Sequence, residues 1–289
     1  MSSLLDGVAL RRATPDDLPI ITALRTQVGW HTFEWALRDA MSAPHARCYL
    51  AVDGTGDVLA VGSGICYGAL GVVGNMVVDA PHRRRGLGSA ILEAVLAFLE
   101  GERGCTQVEL NATADGRQLY ARHGFVLAGS NAGARIERSV DLAVAPEDAV
   151  TDAPPSGLAE VAAYDEARFG GDRTPVLATT LADPDRPALL VRRHGSLAGY
   201  AVLRDAGGRL GPWLADDPAA ASALLSAAFR LAPQLGWLST NLPLDNEPGA
   251  AWLRDLGVQL DPWDGRMRRG SGVTRRFETI YGNVIGALG

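Results

Sequence analysis

Apolar positions recur along this chain with two periods, and their alternation lays out the elements. Val8–Arg12 reads as a first strand. Thr14-Pro15-Asp16-Asp17 is a helix start: Thr14 can cap, Pro15 suits the first turn, and the aspartates favour its positive end. A helix to about Val28 follows, then a second from about Phe33 to Met41. Arg47–Val52 and Val58–Cys66 flank Asp53-Gly54-Thr55-Gly56, a hairpin turn signal. Val72–Val78 is the next strand. Leu87, Ile91, Ala94, Val95 and Phe98 then share one face of a helix over Leu87–Glu100. Val108–Asn111, a helix over Gly116–His123, Phe125–Leu127 and Arg135–Asp141 complete an α/β unit. Val58 to Val78 carries no charge and is long enough to span a bilayer. Its glycines, β-branched residues, Ser63 and Asn75, with Gly68-Ala69 as a turn, fit two buried strands instead.

Residues 143–157 contain Pro146, Pro154, Pro155 and Gly157 among small and acidic residues, a linker composition. The pattern then repeats. Leu158–Arg168 is helical and Thr174-Pro175 starts another helix. Ala188–Arg192 and Leu197–Leu203 form a hairpin around His194-Gly195-Ser196. A helix over Pro218–Leu231, a strand over Trp237–Asn241 and a helix over Ala250–Leu256 follow. Trp252–Val258 parallels Leu119–Phe125. The expected organisation is a unit over 1–142, a linker over 143–157 and a related unit over 158–289.

Between the strand ending near Val78 and the helix opening at Leu87 lies Asp79-Ala80-Pro81-His82-Arg83-Arg84-Arg85-Gly86-Leu87-Gly88. Glycines at a helix start let a ligand approach the backbone. The free N–H groups of a first helical turn, with the helix dipole, favour an anion. Three arginines add positive charge at the same place, so the segment reads as a pyrophosphate site. A P-loop would need Gly-Lys-Ser/Thr, and the chain has no lysine; the dinucleotide fingerprint would need a third glycine where Ile91 stands.

Arg83-x-x-Gly86-x-Gly88 after a strand resembles the acyl-CoA loop of the GNAT superfamily of N-acetyltransferases. Gly116-Arg117-Gln118-Leu119-Tyr120-Ala121-Arg122-His123-Gly124-Phe125 is similar to that superfamily's short helix carrying a catalytic tyrosine. Proline is usual where Ala80 stands; here Pro81 follows one place later. The whole chain resembles a bacterial tandem subfamily that pairs an active first domain with a degenerate second. The matching pieces are Gly29-Trp30, Leu110–Thr113, Tyr164-Asp165 with Phe169-Gly170 and Arg173, and Arg266–Gly270; His31 stands where asparagine is expected. The resemblance implies two α/β GNAT-like domains, each a mixed, splayed central sheet flanked by helices. It places acetyl-CoA, as co-substrate, against Met76, Val77, Val78, Arg83, Arg84, Arg85, Gly86, Leu87, Gly88, Ser89 and Asn111. The second half carries Asp216-Asp217-Pro218 where the first has arginines and glycines, so one CoA site per chain is expected.

Composition narrows the picture. The net charge of −6 leaves no global basic field for nucleic acid. All 27 basic residues are arginine, so the protein cannot acetylate lysines of its own. Cys48, Cys66 and Cys105 are widely spaced without a CxxC, which reads as reduced buried thiols. The histidines show no metal-ligand spacing and no metal is expected. The N-terminus has neither a basic n-region nor an apolar h-region, so a cytoplasmic protein without a membrane segment is expected.

Acyl transfer to an amine needs a neutral amine, a stabilised oxyanion and a protonated leaving thiolate. The resemblance assigns oxyanion binding to backbone N–H groups around Val77 and Val78. Tyr120 either donates to the thiolate or only packs against the pantetheine. Asn111 either bonds the pantetheine amide or is a structural strand end. His31 or Glu34, one turn apart, could serve as base, or a water chain could serve with no single base. Trp30 either walls an acceptor site or belongs to the core. Asp165, Arg173 and Asn246 either reach the acceptor cleft or are structural; Arg204, Arg209, Arg275 and Arg276 read as solvated. The expected activity is acetyl-CoA-dependent N-acetylation of a small amine by a monomer or homodimer. The alternatives are a protein lysine or N-terminal acetyltransferase and a CoA-binding sensor without turnover.

Overall fold

The computed structural model describes residues 7–30, 34–204, 208–263 and 265–283. The chain forms two compact α/β units, each a mixed sheet flanked by helices. The first takes in the described residues up to 126 together with 267–273; the second takes in 127–266 and the described residues from 274.

The first unit runs β1 (Ala9–Arg12), α1 (Leu18–Gln27), α2 (Glu34–Ser42), β2 (Ala46–Val52), β3 (Val58–Tyr67), β4 (Leu70–Val78), α3 (Leu87–Leu96), β5 (Gln107–Ala112), α4 (Arg117–Arg122) and β6 (Val126–Gly129). The long uncharged segment is the β3–β4 hairpin, turning at Gly68-Ala69. No helix among the described residues is long and apolar enough to cross a membrane. Helix α3 lies on β3 because Gly62 and Gly64 carry no side chain. A Cβ on Gly64 would stand 2.8 Å from Val95 Cγ1, and one on Gly62 would collide with Ile91 and Met76. The other face of the sheet packs Leu50, Val61 and Val77 against Ile21, Leu24 and Leu37 of the first two helices.

The second unit runs β7 (Asn131–Glu137), β8 (Asp148–Asp152), α5 (Leu158–Phe169), α6 (Thr174–Leu181), β9 (Ala188–Arg193), β10 (Ser196–Arg204), β11 (Arg209–Ala215), α7 (Pro218–Leu231), β12 (Trp237–Pro243), α8 (Glu247–Asp255) and β13 (Leu260–Pro262). Then come β14 (Gly265–Gly270), which joins the first sheet, and β15 (Ile280–Gly282). The first sheet has the order β1-β2-β3-β4-β5-β14-β6 and the second β13-β7-β12-β11-β10-β9-β8, with β15 on β11.

Two expected boundaries move. Residues 143–157 are not all linker, because β8 pairs antiparallel with β9 and its Asp148 is buried against Arg193 (2.8 Å). An ion pair stands where an apolar face would have marked a strand. The first unit also does not extend to 142: β7 pairs with β12 along its whole length in the second unit. Conversely Met267, from late in the chain, joins the first unit's core.

Asp165, Arg173 and Asn246, read as acceptor-site candidates, lie in the interior of the second unit. Arg173 forks onto Asp165, with Nε 2.9 Å from Oδ1 and Nη2 2.5 Å from Oδ2, and the Tyr200 hydroxyl donates to the same carboxylate. The side chains of Arg173 and Asp165 are 1% and 0% exposed, which leaves no face for a solute. Asn246 caps α8: its Oδ1 accepts from Gly249 N at 2.8 Å and its Nδ2 donates to Ile280 O at 2.9 Å. Arg204 is likewise buried, donating to Gly211 O, rather than solvated. Removing one partner of a buried pair strands the other's charge. Arg173→Met is therefore expected to destabilise the protein by about 3–5 kcal/mol in denaturant melts, with acceptor KM unchanged in whatever protein remains folded.

Candidate active site

The site begins at an irregularity in β4. Val61 pairs with Val77 and Ser63 with Gly74, so Asn75 and Met76 together face Gly62 across a β-bulge. Asn75 has a φ of 56°. The bulge inverts the strand's phase: Val73 packs on the α3 side and Val77, four residues on, packs on the α1 side. Without the extra residue both would share a face. Asn75 is buried and fixed from two sides. Its Oδ1 accepts from Arg25 of α1, and its Nδ2 donates to Ser63 Oγ at 2.8 Å. Burial lowers the Arg25 pKa, and its guanidinium stands 5.6 Å over the Trp30 ring.

Below the bulge β4 and β5 are parallel partners from Leu70↔Gln107 to Val73↔Leu110. Above it the pairing stops, although β4 continues to Val78. Asp79 N donates to Leu59 O of β3 at 2.9 Å. Strand alternation then turns the Val77 N–H toward β3 and the Val78 N–H toward the gap. Of the two valines named for oxyanion binding, Val78 has its N–H on the open side. Its carbonyl accepts from Arg83 Nε at 3.2 Å. Asn111, half-buried, is the first β5 residue past the last pair.

The loop after β4 keeps strained backbone. Arg84 (φ 63°) and Gly86 (φ 85°) are both left-handed. Gly86 is the N-cap of α3 and supplies no capping side chain. The first helical bond is Ala90 N to Gly86 O at 3.1 Å, so the N–H groups of Gly86, Leu87, Gly88 and Ser89 precede the helical ladder. A left-handed residue opening a helix curls successive N–H groups into an anion-binding nest. Arg83, Arg84 and Arg85 are exposed around it. The two glycines have different reasons. Gly86 permits the positive φ, and nothing would meet its Cβ; a Cβ on Gly88 would sit 3.3 Å from Leu119 Cδ2 and 3.6 Å from Val78 Cγ2. Thus α3, α4 and the end of β4 converge at Gly88. The loop's base is held by His82 Nδ1, 2.8 Å from Asp79 Oδ2, and this bond from His82 keeps the Asp79 carboxyl below its usual range.

Tyr120 follows Leu119 on α4. Its ring is buried and meets Phe125 edge-on at 6.0 Å. Its hydroxyl has no protein partner among the described residues, and burial pushes its pKa up to about 12. Two residues that the sequence reading left without a role hold this helix. His123, at the end of α4, bonds Leu119 O through Nδ1 (3.0 Å) and Ser89 Oγ through Nε2 (3.0 Å), tying α4 to the first turn of α3. Arg269 donates to His123 O and forks onto Glu100 at 2.7 and 3.1 Å. A cation at a helix C-terminus complements its dipole.

The equivalent place in the second unit is closed from within. Helix α7 begins at Asp217, whose carboxylate accepts from Ala220 N at 2.9 Å and pairs with Arg193 at 2.6 Å. The helix N-terminus therefore already holds an anion. Strands β11 and β12 also diverge, after one parallel bridge at Arg209↔Ser239. Here β15 takes up the space, antiparallel on β11 at Trp213↔Gly282 and Leu214↔Ile280, with Thr240 Oγ1 donating to Tyr281 O at 3.0 Å.

The remaining candidates separate. Glu34 stands exposed in the first turn of α2, 3.9 Å from Arg38, the geometry of a solvated helix pair. Trp30 is half-buried against the α1–α2 cluster. His31 lies outside the described residues. Among those described, no group of three or more His, Cys, Asp and Glu comes together as for a metal.

Comparison with known proteins agrees with this layout. Residues 44–127 match a family model described as "Acetyltransferase (GNAT) domain", and residues 161–282 match a second model of the same description. The mycothiol acetyltransferase of Clavibacter sepedonicus is 30% identical, over 91% of this chain and 95% of the relative. An uncharacterized N-acetyltransferase of Bacillus subtilis is 25% identical over 72% of each chain. The crystal structure of a putative acetyltransferase from Pyrococcus horikoshii superposes with a TM-score of 0.81 at 23% identity, over 100% of this chain and 99% of that one.

Proposed function

Since the chain belongs to the GNAT acetyltransferase family as two such domains in tandem, we propose that it transfers an acetyl group from acetyl-CoA to the amine of a small molecule, at one site in the first unit. The observation that carries this reading is the open side of β4 beyond Val73, lying beside a helix N-terminus that has no capping side chain of its own. The relative named mycothiol acetyltransferase adds support for a small-molecule acceptor, since its name refers to a small molecule and not to a protein.

Acetyl-CoA supplies the acetyl group and the thiolate leaving group. The N–H groups of Gly86 to Ser89 and the charges of Arg83, Arg84 and Arg85 hold its pyrophosphate. Met76, Val78 and Asn111 line the diverging strands, where the pantetheine finds backbone partners. Val78 N–H donates to the oxyanion that develops as the amine adds. Tyr120 donates to the sulfur as charge builds on it. The second unit binds no CoA, because Asp217 and β15 stand where the pyrophosphate and pantetheine would lie.

Calorimetric titration of the full chain with acetyl-CoA is expected to give one site per chain, and free-thiol release over a panel of small amines is expected to give turnover. Two sites per chain would refute the account of the second unit. Turnover on peptides alone would refute the acceptor class, and binding without turnover on any amine or peptide would refute the enzyme reading.

A further inference from the structure

At the paired end of β4 and β5, away from the phosphate loop, two cysteines meet. Cys66 ends β3 and pairs with Gly71 across the hairpin. Cys105 precedes β5, where the chain runs directly alongside the hairpin turn: Thr106 N and Gln107 N both donate to Ala69 O, at 3.0 and 3.1 Å. The two sulfurs reach the same carbonyl, Gly68 O, at 3.4 Å for Cys66 and 3.5 Å for Cys105. A Cβ on Gly71 would lie 3.3 Å from Cys105 Sγ. Cross-strand partners hold their Cβ atoms about 5 Å apart. Cys105 Sγ therefore occupies the space beside Cys66 that a side chain at 71 would claim. The flanking residues Gly68, Ala69, Arg103 and Gly104 are exposed, so the sulfurs lie just beneath the surface.

We propose that Cys66 and Cys105 form a dithiol site that a low-molecular-weight disulfide oxidises to an intramolecular disulfide. Cys66 is the attacking sulfur. A hydrogen bond from Cys105 and the nearby Arg103 guanidinium lower its thiol, while the same contact raises Cys105. The Cys66 thiolate attacks one sulfur of the disulfide RSSR, forming a mixed disulfide and releasing RS⁻. Cys105 then gives up its proton to solvent and attacks the Cys66 sulfur, releasing the second RS⁻. Two protein thiols are oxidised by two electrons, and one external disulfide is reduced to two thiols. Cys48 is the internal control: it is buried and alone, and burial pushes its thiol up to about 12.

The test is a redox titration of the full chain in mixtures of reduced and oxidised glutathione, followed by acid quench, alkylation, digestion at arginine and fragmentation of the peptides, which tells Cys48 from Cys66 within the shared peptide 48–83. The expected product has lost two hydrogens and yields one peptide pair joining Cys66 to Cys105, with Cys48 alkylated throughout. In Cys105→Ser the mixed disulfide has no resolving thiol, so one glutathione remains on Cys66. If Cys66 and Cys105 stay alkylated at every ratio, or each carries its own glutathione without a cross-link, the proposal is overturned. Because the titration is run on the unmodified protein, a misfolded variant does not decide it.

Discussion

A Gly86→Asp protein is expected to lose about two to three orders of magnitude in acetyl-CoA affinity while keeping its fold. The substitution transfers the second unit's solution to the first. Asp217 caps α7 with its own carboxylate, whereas Gly86 leaves the first N–H groups of α3 without one. A carboxylate at position 86 meets the pyrophosphate with like charge. At ~4 Å that costs about 1 kcal/mol in bulk water and about 4 kcal/mol at an effective dielectric of ~20. The loop is exposed but backed by protein, so the effect falls towards the upper part of that range. The fold tolerates the change for two reasons. No atom lies within 4 Å of a Cβ at this position, and aspartate is among the residues that enter left-handed backbone with least strain. Calorimetric titration with acetyl-CoA and circular dichroism on the same sample provide the check. Affinity within about threefold of the parent would remove the pyrophosphate from the α3 N-terminus.

The parts of this molecule that were legible in the sequence are those whose chemistry is local. The glycine opening of α3 and the bounds of α7 follow from residues within one turn of each end. What was hidden depends on partners distant in sequence. Strand β14 carries three arginines, and nothing near them in the sequence names a partner. In the structure Arg266 donates to Ala128 O at 2.6 Å and Asp245 Oδ1 at 3.0 Å, and Arg269 binds Glu100. Strand β7 has an unremarkable pattern that fits either unit, and only its register with β12 decides between them. Asp165, Arg173 and Asn246 show the same limit from the other side: residue type suggested a cleft, while the partner made each one internal.

The bulge in β4 was hidden for a different reason. One added residue in a continuous β-branched run changes no composition and little of the hydrophobic pattern. Asn75 was the available signal, a polar residue of a kind that tolerates positive φ, set inside an otherwise apolar strand. Arg25, fifty residues earlier, gives no hint of pairing with it. The two meet at the bulge, just past the last β4–β5 pair at Val73↔Leu110.

Tyr120→Phe is expected to lower kcat by about 10²–10³-fold, the range for losing one transition-state hydrogen-bond donor, with acetyl-CoA affinity nearly unchanged. The ring and its edge contact with Phe125 survive the substitution, so packing is retained. The lost hydroxyl has no protein partner among the described residues, so its removal strands no buried donor and the melting temperature should not fall. Burial holds the phenol near 12, well above a free thiol at about 8.5. Full proton transfer to a finished thiolate is therefore uphill, and the hydroxyl acts mainly as a hydrogen-bond donor while negative charge builds on sulfur. That contribution exists in the transition state and hardly in the ground state, so kcat and kcat/KM for the acceptor should fall together. The sign of the pH dependence follows from the same value. The active form is the protonated phenol, and it is lost only as pH rises through about 12. Tyr120 thus imposes no alkaline limb in the ordinary assay range, and the acid limb belongs to the acceptor amine and whatever takes its proton. Thiol-release kinetics from pH 6 to 10 on parent and variant should give curves of the same shape displaced vertically. A variant within about threefold of the parent would return Tyr120 to packing, with water as the proton source. An alkaline limb that disappears in the variant would instead show that ligand binding draws the phenol pKa down into the working range.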